Sequence, residues 1–390
     1  MRWGTGVEKL VDMRGIVAQA ELGRIDRKSP MLDPKSAFAV AVLVTGMVVP
    51  DNRPHPMTHD ILSDVLRSVR LRGALYFHVS GTRDWAAEAP ACREIAAAVM
   101  PGTEHVMEYH VVLSGSCWGG VVGAEPVRLD AGDLILFPHG DPHVMSSAPG
   151  MRAPPDPAGY FERMQQPLPF VLHLDARQVR LGVEPEGPDV TTLVCGFLGC
   201  DLRPFNPLIA SLPRLMHVPA QPGHDGAVQY ARHAAAEALE RRPGGDAILE
   251  RLSEMTFIEA VRRYLASLPE GSHGWLAGLR DRFVGRALAC LHDAPAEPWT
   301  VEELGRRVGL SRSALHERFA AVVGQTPMEY LASWRIQLGA ALLRDTTSTV
   351  ASIALEVGYQ SEASFALAFK RTVGKPPAMW RRYGNSAPPS

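Results

Sequence analysis

Thr300-Val-Glu-Glu-Leu-Gly-Arg-Arg-Val-Gly-Leu-Ser-Arg-Ser-Ala-Leu-His-Glu-Arg-Phe319 has a near-copy downstream. The copy is Thr349-Val-Ala-Ser-Ile-Ala-Leu-Glu-Val-Gly-Tyr-Gln-Ser-Glu-Ala-Ser-Phe-Ala-Leu-Ala-Phe369. Each begins with a short amphipathic stretch that ends at a glycine. A tight turn follows, then a second helical stretch opening near a serine. Phe319, Gly324 and Pro327 recur as Phe369, Gly374 and Pro377, each shifted by 50 positions. Gly309 recurs as Gly358, shifted by only 49, so the second turn is one residue longer. Glycine at such a bend supplies the positive φ that a side chain resists.

Helix, glycine turn and helix is the helix-turn-helix shape, whose second helix enters the DNA major groove. Core packing alone does not demand the same punctuation twice. Around the pair, Leu276 to Leu291 reads as a preceding helix, and Thr300 with Glu303 as a capping box. Thr326-Pro-Met-Glu329 repeats that signature for a connecting helix from Pro327 to about Arg344, which sets the spacing of the two reading heads. A span of about 34 Å places two such heads in successive major grooves on one DNA face.

Composition bounds the rest. A chain of 390 residues, 46% hydrophobic and 21% charged, is of ordinary globular make-up and long enough for two or three domains. From Trp275 to Tyr383 there are 14 Lys/Arg and 10 Asp/Glu, a balance of +4; with a net charge of −2, the remainder carries −6. A positive end on an acidic body fits a nucleic-acid module joined to something else. Five scattered cysteines (Cys92, Cys117, Cys195, Cys200 and Cys290) argue against a disulfide framework and for a reducing cytosol, with the thiols packed as small apolar groups. The apolar run Ser36 to Val49 is too short to span a bilayer, so no membrane association is expected.

Residues 1–56 read as an N-terminal extension. From Met57 a helix appears, with Ile61, Leu62, Val65, Leu66 and Val69 on one face. Short strands follow at Ala74 to Val79, Tyr109 to Ser114 and Leu134 to Phe137, with further strands at Phe170 to Leu174 and Thr191 to Cys195. Their spacing suggests a barrel or sandwich. Ala148 to Pro169 reads as an exposed loop, and Pro204 to Val218 as a short helix and a strand. Two helices follow, Ala227 to Arg241 and Ala247 to Leu268. In the second, Ile248, Leu252, Met255, Ile258, Val261 and Leu265 form a stripe that serves as core or as a dimer seam. The expected fold is α+β: a β-barrel with flanking helices over 57–220, a helical dimerisation or linker region over 221–272, an all-α domain over 273–384, and a disordered tail over 385–390.

Gly132-Asp-Leu-Ile-Leu-Phe-Pro138-His-Gly140-Asp-Pro-His143 resembles the second cupin motif, with Ser147 where that motif has asparagine. Glu108-Tyr-His-Val-Val-Leu-Ser-Gly115 resembles part of the first; its paired His-x-His is absent, with His105 nearby. Strand alternation puts Glu108, His110 and Val112 on one face, and His143 approaches from the other sheet. Three readings stay open: a divalent metal site, hydrogen-bonding to a polar ligand, or satisfied core histidines. The reading carried forward is effector contact at Glu108, His110 and His143, with no metal, no other cofactor and no catalytic residue. A metal-dependent cupin enzyme with an appended helical domain is the alternative.

Residues 276–382 resemble the DNA-binding domain of AraC-type (AraC/XylS) transcription regulators, most specifically from Ile353 to Pro377, and 57–220 resemble a cupin-like effector domain found in part of that family. The resemblance implies a cytoplasmic, homodimeric regulator that takes double-stranded DNA and a small-molecule effector, activates transcription and can touch RNA polymerase. With Leu315 and Phe319 turned to the core, the first recognition helix offers Arg312, Ser313, His316 and Glu317 to bases. With Phe365 and Phe369 in the core, the second offers Glu362, Ala363, Ser364 and Leu367. The family often has arginine where Leu367 stands, so docking mainly through the DNA backbone is the alternative for that helix. Arg335, Lys370, Arg371, Arg381 and Arg382 are the expected phosphate contacts.

Overall fold

The computed structural model describes residues 59–153, 170–176, 178–182, 190–221, 223, 226–240 and 242–383. The expectations for residues 1–56, for most of the loop before Phe170 and for the tail after 384 lie outside the described residues.

Among the described residues, eleven strands form two sheets. The larger has the order β11-β6-β3-β10-β1-β8-β9, with β1 Arg72–Gly81, β3 His105–Ser114, β6 Leu134–Phe137, β8 Phe170–Asp175, β9 Gln178–Leu181, β10 Thr191–Cys200 and β11 Met216–Val218. The smaller has the order β2-β7-β4-β5, with β2 Ala86–Ala89, β4 Ser116–Val121, β5 Val127–Asp130 and β7 His143–Ser146. All pairings are antiparallel except β1 with β8. In place of a closed barrel there are two facing sheets, with no strand hydrogen-bonded into both among the described residues. The edges explain this: β11 has three residues and β2 and β5 four each, too short to carry one ladder into the next.

The strand β3 shows how the layers stack. Its run from Val106 to Val112 is buried without interruption, which a strand covered on both faces requires. Val106 and Val112 join Cys117, Leu129 and Met145 of the smaller sheet in one core. Met107, Tyr109 and Val111 point the other way, into a core shared with the helices behind the sheet. Cys195 and Cys200, five apart on β10, fall on opposite faces and into separate cores, so they form no metal pair. No disulfide forms; four of the five cysteines are buried and Cys290 is half-buried.

The helices are α1 Ile61–Ser68, α2 Cys92–Val99, α3 Pro207–Ser211, α4 Gly226–Glu240 and α5 Gly245–Ser267, then α6 Trp275–Arg280, α7 Val284–Asp293, α8 Val301–Val308, α9 Arg312–Val323, α10 Pro327–Asp345, α11 Val350–Glu356, α12 Glu362–Val373 and α13 Pro377–Tyr383. No helix is long and apolar enough to cross a membrane among the described residues.

Two expectations are corrected here. The stripe on α5 divides: Leu252 and Val261 are buried, whereas Ile248 and Met255 are exposed. The buried face is instead Leu249, Leu252, Ser253, Thr256, Phe257, Ala260 and Val261, turned toward the sheet, where Ser253 bonds the Tyr109 hydroxyl at 2.8 Å. The expected single helix from Leu276 to Leu291 is two, α6 and α7. Asp281 breaks it, because its carboxylate accepts from the amides of Phe283 and Val284, both at 2.9 Å, as an N-cap does. Arg318 of α9 holds the same carboxylate through contacts of 2.7–3.1 Å.

A buried polar seam joins α1 to the C-terminal helices. Gln337, 1% exposed at the middle of α10, donates to the Ser68 carbonyl at 2.9 Å and accepts from the Phe205 amide at 3.0 Å. Asp201 takes Arg70 through two bonds of 2.8 and 2.9 Å and Arg344 of α10 at 3.1 Å. Trp275 donates to the Tyr330 hydroxyl at 2.9 Å, Tyr330 lies 2.7 Å from His292 Nε2, and His292 Nδ1 lies 3.3 Å from Asp64 of α1. A carboxylate only accepts, so Nδ1 carries the proton and the tyrosine donates to Nε2. His59 also contacts Asp64.

Candidate nucleic-acid interface and buried histidine cluster

In the first helix-turn-helix, Thr300 caps α8 by accepting from the Glu303 amide at 3.1 Å. The expected reciprocal box gives way to ion pairing, since the Glu303 carboxylate faces Arg306 and Arg307. Gly309 makes the turn at φ 82°, in the left-handed region. Ser311 then caps α9, accepting from the Ala314 amide at 3.2 Å. Leu315 and Phe319 are fully buried, and Arg312, Ser313, His316 and Glu317 stand exposed on the opposite face.

The second unit repeats this. Thr349 caps α11, Gly358 turns at φ 90°, and Ser361 caps α12 by accepting from Ser364 at 3.2 Å. Phe365 and Phe369 are fully buried; Glu362, Ala363, Ser364 and Leu367 are exposed. Between the units, Thr326 and Glu329 form the expected capping box of α10, with bonds of 2.9 and 3.3 Å. At 19 residues, α10 is about 28 Å long at 1.5 Å per residue.

The cations divide. Lys370, Arg371 and Arg382 are exposed. Arg335 is half-buried and donates to the carbonyls of Pro295 and Glu297, each at 2.7 Å, where the backbone also crowds Gly358. Arg381 donates to the Leu343 carbonyl at 3.1 Å and to that of Ser348. These two guanidinium groups brace the domain, Arg335 half-buried and Arg381 still exposed. No local signal in the sequence separates a bracing arginine from one that faces outward, because both carbonyl partners are distant along the chain.

The second constellation lies between the sheets. Glu108 and His110 extend from β3 of the larger sheet and His143 from β7 of the smaller, at 1%, 4% and 1% exposure. His110 Nε2 is 2.9 Å from His143 Nε2, and the Glu108 oxygens lie 3.8 and 3.7 Å from the two imidazoles. Across the ladder, His110 Nδ1 meets Cys195 Sγ at 2.8 Å; His143 Nδ1 meets the Asp141 carbonyl at 3.1 Å and its ring stacks on Phe137. Burial pushes the Glu108 carboxyl up to about 8 and the His143 imidazole down to about 4. Burial, then the neighbouring His143, takes His110 well below the usual histidine range. Burial thus favours the neutral form of all three groups. Cys195 is likewise pushed up by burial, so it is a packed thiol and no nucleophile.

The cupin fold implies a metal, and the residues fit one. Glu108 Oε2 is buried without a hydrogen-bond partner, and one donor atom from each of the three residues lies within 4.8 Å of the others. Two imidazoles and a carboxylate are a donor set for a divalent transition metal. Glu108, His110 and His143 would hold such an ion, which would supply the positive charge that keeps the carboxylate ionised. His105 stands apart, bonded to the Pro138 carbonyl at 2.7 Å. The seam residues Asp64, Asp201, His292 and Gln337 were not identifiable from sequence, since each is an ordinary polar residue whose partner lies on a distant element.

A cupin region carrying paired, outward-facing recognition helices defines a DNA-binding regulator of transcription. A family model described as "Cupin" matches residues 60–266, and one described as "Helix-turn-helix domain" matches 304–383. The putative AraC-like transcription regulator of Streptomyces lividans is 36% identical over 326 residues, covering 83% of this chain and 98% of that protein. A counterpart in Streptomyces antibioticus is 34% identical over 327 residues, with coverage of 83% and 99%. The HTH-type transcriptional regulator AlkR of Acinetobacter baylyi is 28% identical over 327 residues, again with coverage of 83% and 99%. The chain belongs to the AraC-like transcription regulators.

Proposed function

We propose that this regulator is switched by a small polar effector that engages Glu108, His110 and His143. The observation that carries the reading is the cluster's position: three polar side chains drawn from both sheets and closed from solvent, with one Glu108 oxygen unbonded. An unbonded buried acceptor costs about 1–3 kcal/mol and is retained where something else meets it. The effector parts the two sheets at the cluster, and the change reaches the recognition helices through β3, the helices behind it and the polar seam at Gln337. By binding one arrangement better than another it shifts their populations.

On DNA, Arg312, Ser313, His316 and Glu317 meet bases from the first helix, with Glu317 accepting from cytosine N4 and His316 donating to guanine. Glu362, Ala363, Ser364 and Leu367 face bases from the second. Lys370, Arg371 and Arg382 meet phosphates. Two protomers engage paired sites, and the bound dimer activates transcription through contact with RNA polymerase. The donor set favours a second reading, in which the ligand is a divalent metal ion.

The test is binding of purified protein to the intergenic DNA beside its own gene, against random competitor DNA, across a metabolite panel and after metal analysis. Specific retention that an effector alters in wild type but not in His143→Ala supports the reading. Effector-independent retention in both proteins overturns the switch. Stoichiometric metal, lost in Glu108→Gln, selects the second reading.

A further inference from the structure

We infer that the second helix-turn-helix reads thymine C5-methyl groups, through an apolar stripe formed by Ala363 and Leu367 on α12. The inference rests on the DNA-binding reading and specifies what the second unit recognises.

Leu367 is 74% exposed, more than any other large apolar side chain among the described residues. Folding does not call for it there. The core face of α12 is supplied by Phe365 and Phe369, both at 0% exposure, and Leu367 lies on the opposite side. Ala363 is exposed one turn earlier, four residues away, so the two share a face. Ser361 caps the helix immediately before them, which places the stripe in the opening turns that meet base edges in this motif.

A leucine has no donor or acceptor, so it cannot read the hydrogen-bonding edge of a purine or of cytosine. In the major groove the apolar group offered by a base is the thymine methyl. The surroundings fit DNA. Lys370 and Arg371 are exposed one turn beyond Leu367, where cations meet phosphate, and the exposed acid of the helix, Glu362, sits at its first position. One leucine and one alanine ringed by polar and cationic residues are too little apolar surface for the centre of a protein interface, which needs a few hundred Å². The repeat sharpens the point: Leu367 occupies the place that Glu317 holds 50 positions earlier, so the two units present opposite chemistry at the same site.

The experiment uses the full-length protein and a randomised duplex library. Enriched sequences are resynthesised with uracil for thymine, one position at a time, which removes only the methyl group. We expect two half-sites, one of them thymine-bearing, and about a 4-fold loss of affinity per methyl removed at the position facing Leu367. Leu367→Ala should bind thymine and uracil duplexes equally, with thermal unfolding unchanged. Leu367→Arg should move the preferred base there from thymine to guanine, since arginine pairs with the guanine edge. A uracil effect of equal size in wild type and Leu367→Ala overturns the inference, as does a second half-site without sequence preference. So does a Leu367→Ala protein that keeps thymine discrimination and loses only transcription with purified RNA polymerase, because the leucine then belongs to a protein contact. If wild type enriches no sequence at all, the DNA-binding reading itself fails, an outcome distinct from these.

Discussion

The two helix-turn-helix units share a plan and differ in what supports them. Leu304, Val308, Leu315 and Phe319 of the first belong to a hydrophobic core that continues through Tyr330 and Trp334 to α1, α5 and the outer face of the larger sheet. Ile353, Ala354, Val357, Phe365 and Phe369 of the second pack in a core of their own, with Ile336, Ala340, Leu343 and Trp380. The exposed faces of their second helices differ as well: Arg312, Ser313, His316 and Glu317 in the first, but Ala363 and Leu367 beside Glu362 and Ser364 in the second. A fold that repeats a motif can thus use one copy as the extension of the sheet domain and the other as a module held at the far end of a helix.

The strongest way to break that comparison is to hollow each core. Phe319→Ala and Phe369→Ala should each cost about 3–5 kcal/mol. Phe319→Ala should lower the melting of the sheets along with the first unit, whereas Phe369→Ala should open α11 to α13 and leave sheet amides protected in hydrogen exchange. Equal loss of sheet protection in both proteins would merge the two cores into one.

The seam comes next. Gln337→Ala leaves the Ser68 carbonyl buried without a partner, at about 1–3 kcal/mol, and removes the acceptor of the half-buried Phe205 amide. Exchange at α1 and at the first unit should rise together, and an effector's influence on DNA affinity should shrink. Unchanged coupling would show that the apolar contacts alone carry it.

Smaller effects come from the reading faces. His316→Ala and Glu317→Ala should each weaken the preferred site by about 1–3 kcal/mol and relax preference at one base. Lys370→Ala and Arg371→Ala should weaken all sequences alike and reduce the slope of log affinity against log salt by about 1 each. A sequence-dependent loss at Lys370 would place that side chain on a base.

The mildest lever is acidity. Burial lowers the pKa of His292, against the opposing pull of Asp64. The folded protein therefore refuses a proton that the unfolded chain accepts near pH 6.5. The histidine's contribution to stability is complete above that value and declines as the pH falls below it. Burial opposes the ionisation of Asp64, but its hydrogen bonds and charge interactions with His292 and His59 prevail and hold the carboxyl below its ordinary value. Its contribution is present above that ordinary value and lost only as the pH falls through the lowered one. Between pH 7 and 5 the first unit and α1 should lose protection before the second unit does, and His292→Phe should flatten that difference.

How much of this was legible in the sequence follows from the range of the forces involved. Caps, glycine turns and buried phenylalanines act within a few residues, so the duplicated motif and its inward and outward faces were readable. Alternation along β3 likewise put Glu108 and His110 together, and the cupin-like spacing brought His143 to them. The long-range terms were hidden. Whether Arg335 meets a phosphate or the Pro295 carbonyl is decided 40 residues away. The α5 stripe misled because the helix packs on a sheet through small and polar residues, Ser253, Thr256 and Ala260, which hydrophobic periodicity discounts.

The position of Gln337 has a mechanical side. It lies ten residues into a helix of 19, near the midpoint, with one reading head at either end. Tyr330 near one end and Arg344 near the other are bonded as well, to His292 and Asp201, so the rod is held at three points. With half-lengths of about 14 Å, a tilt of 10° moves each end by about 2.4 Å, in opposite senses. That is a large part of the 3.4 Å between successive base pairs. Loss of either end contact would free the rod to tilt by that much, which sets how firmly the seam must hold it for two heads that are to meet DNA together.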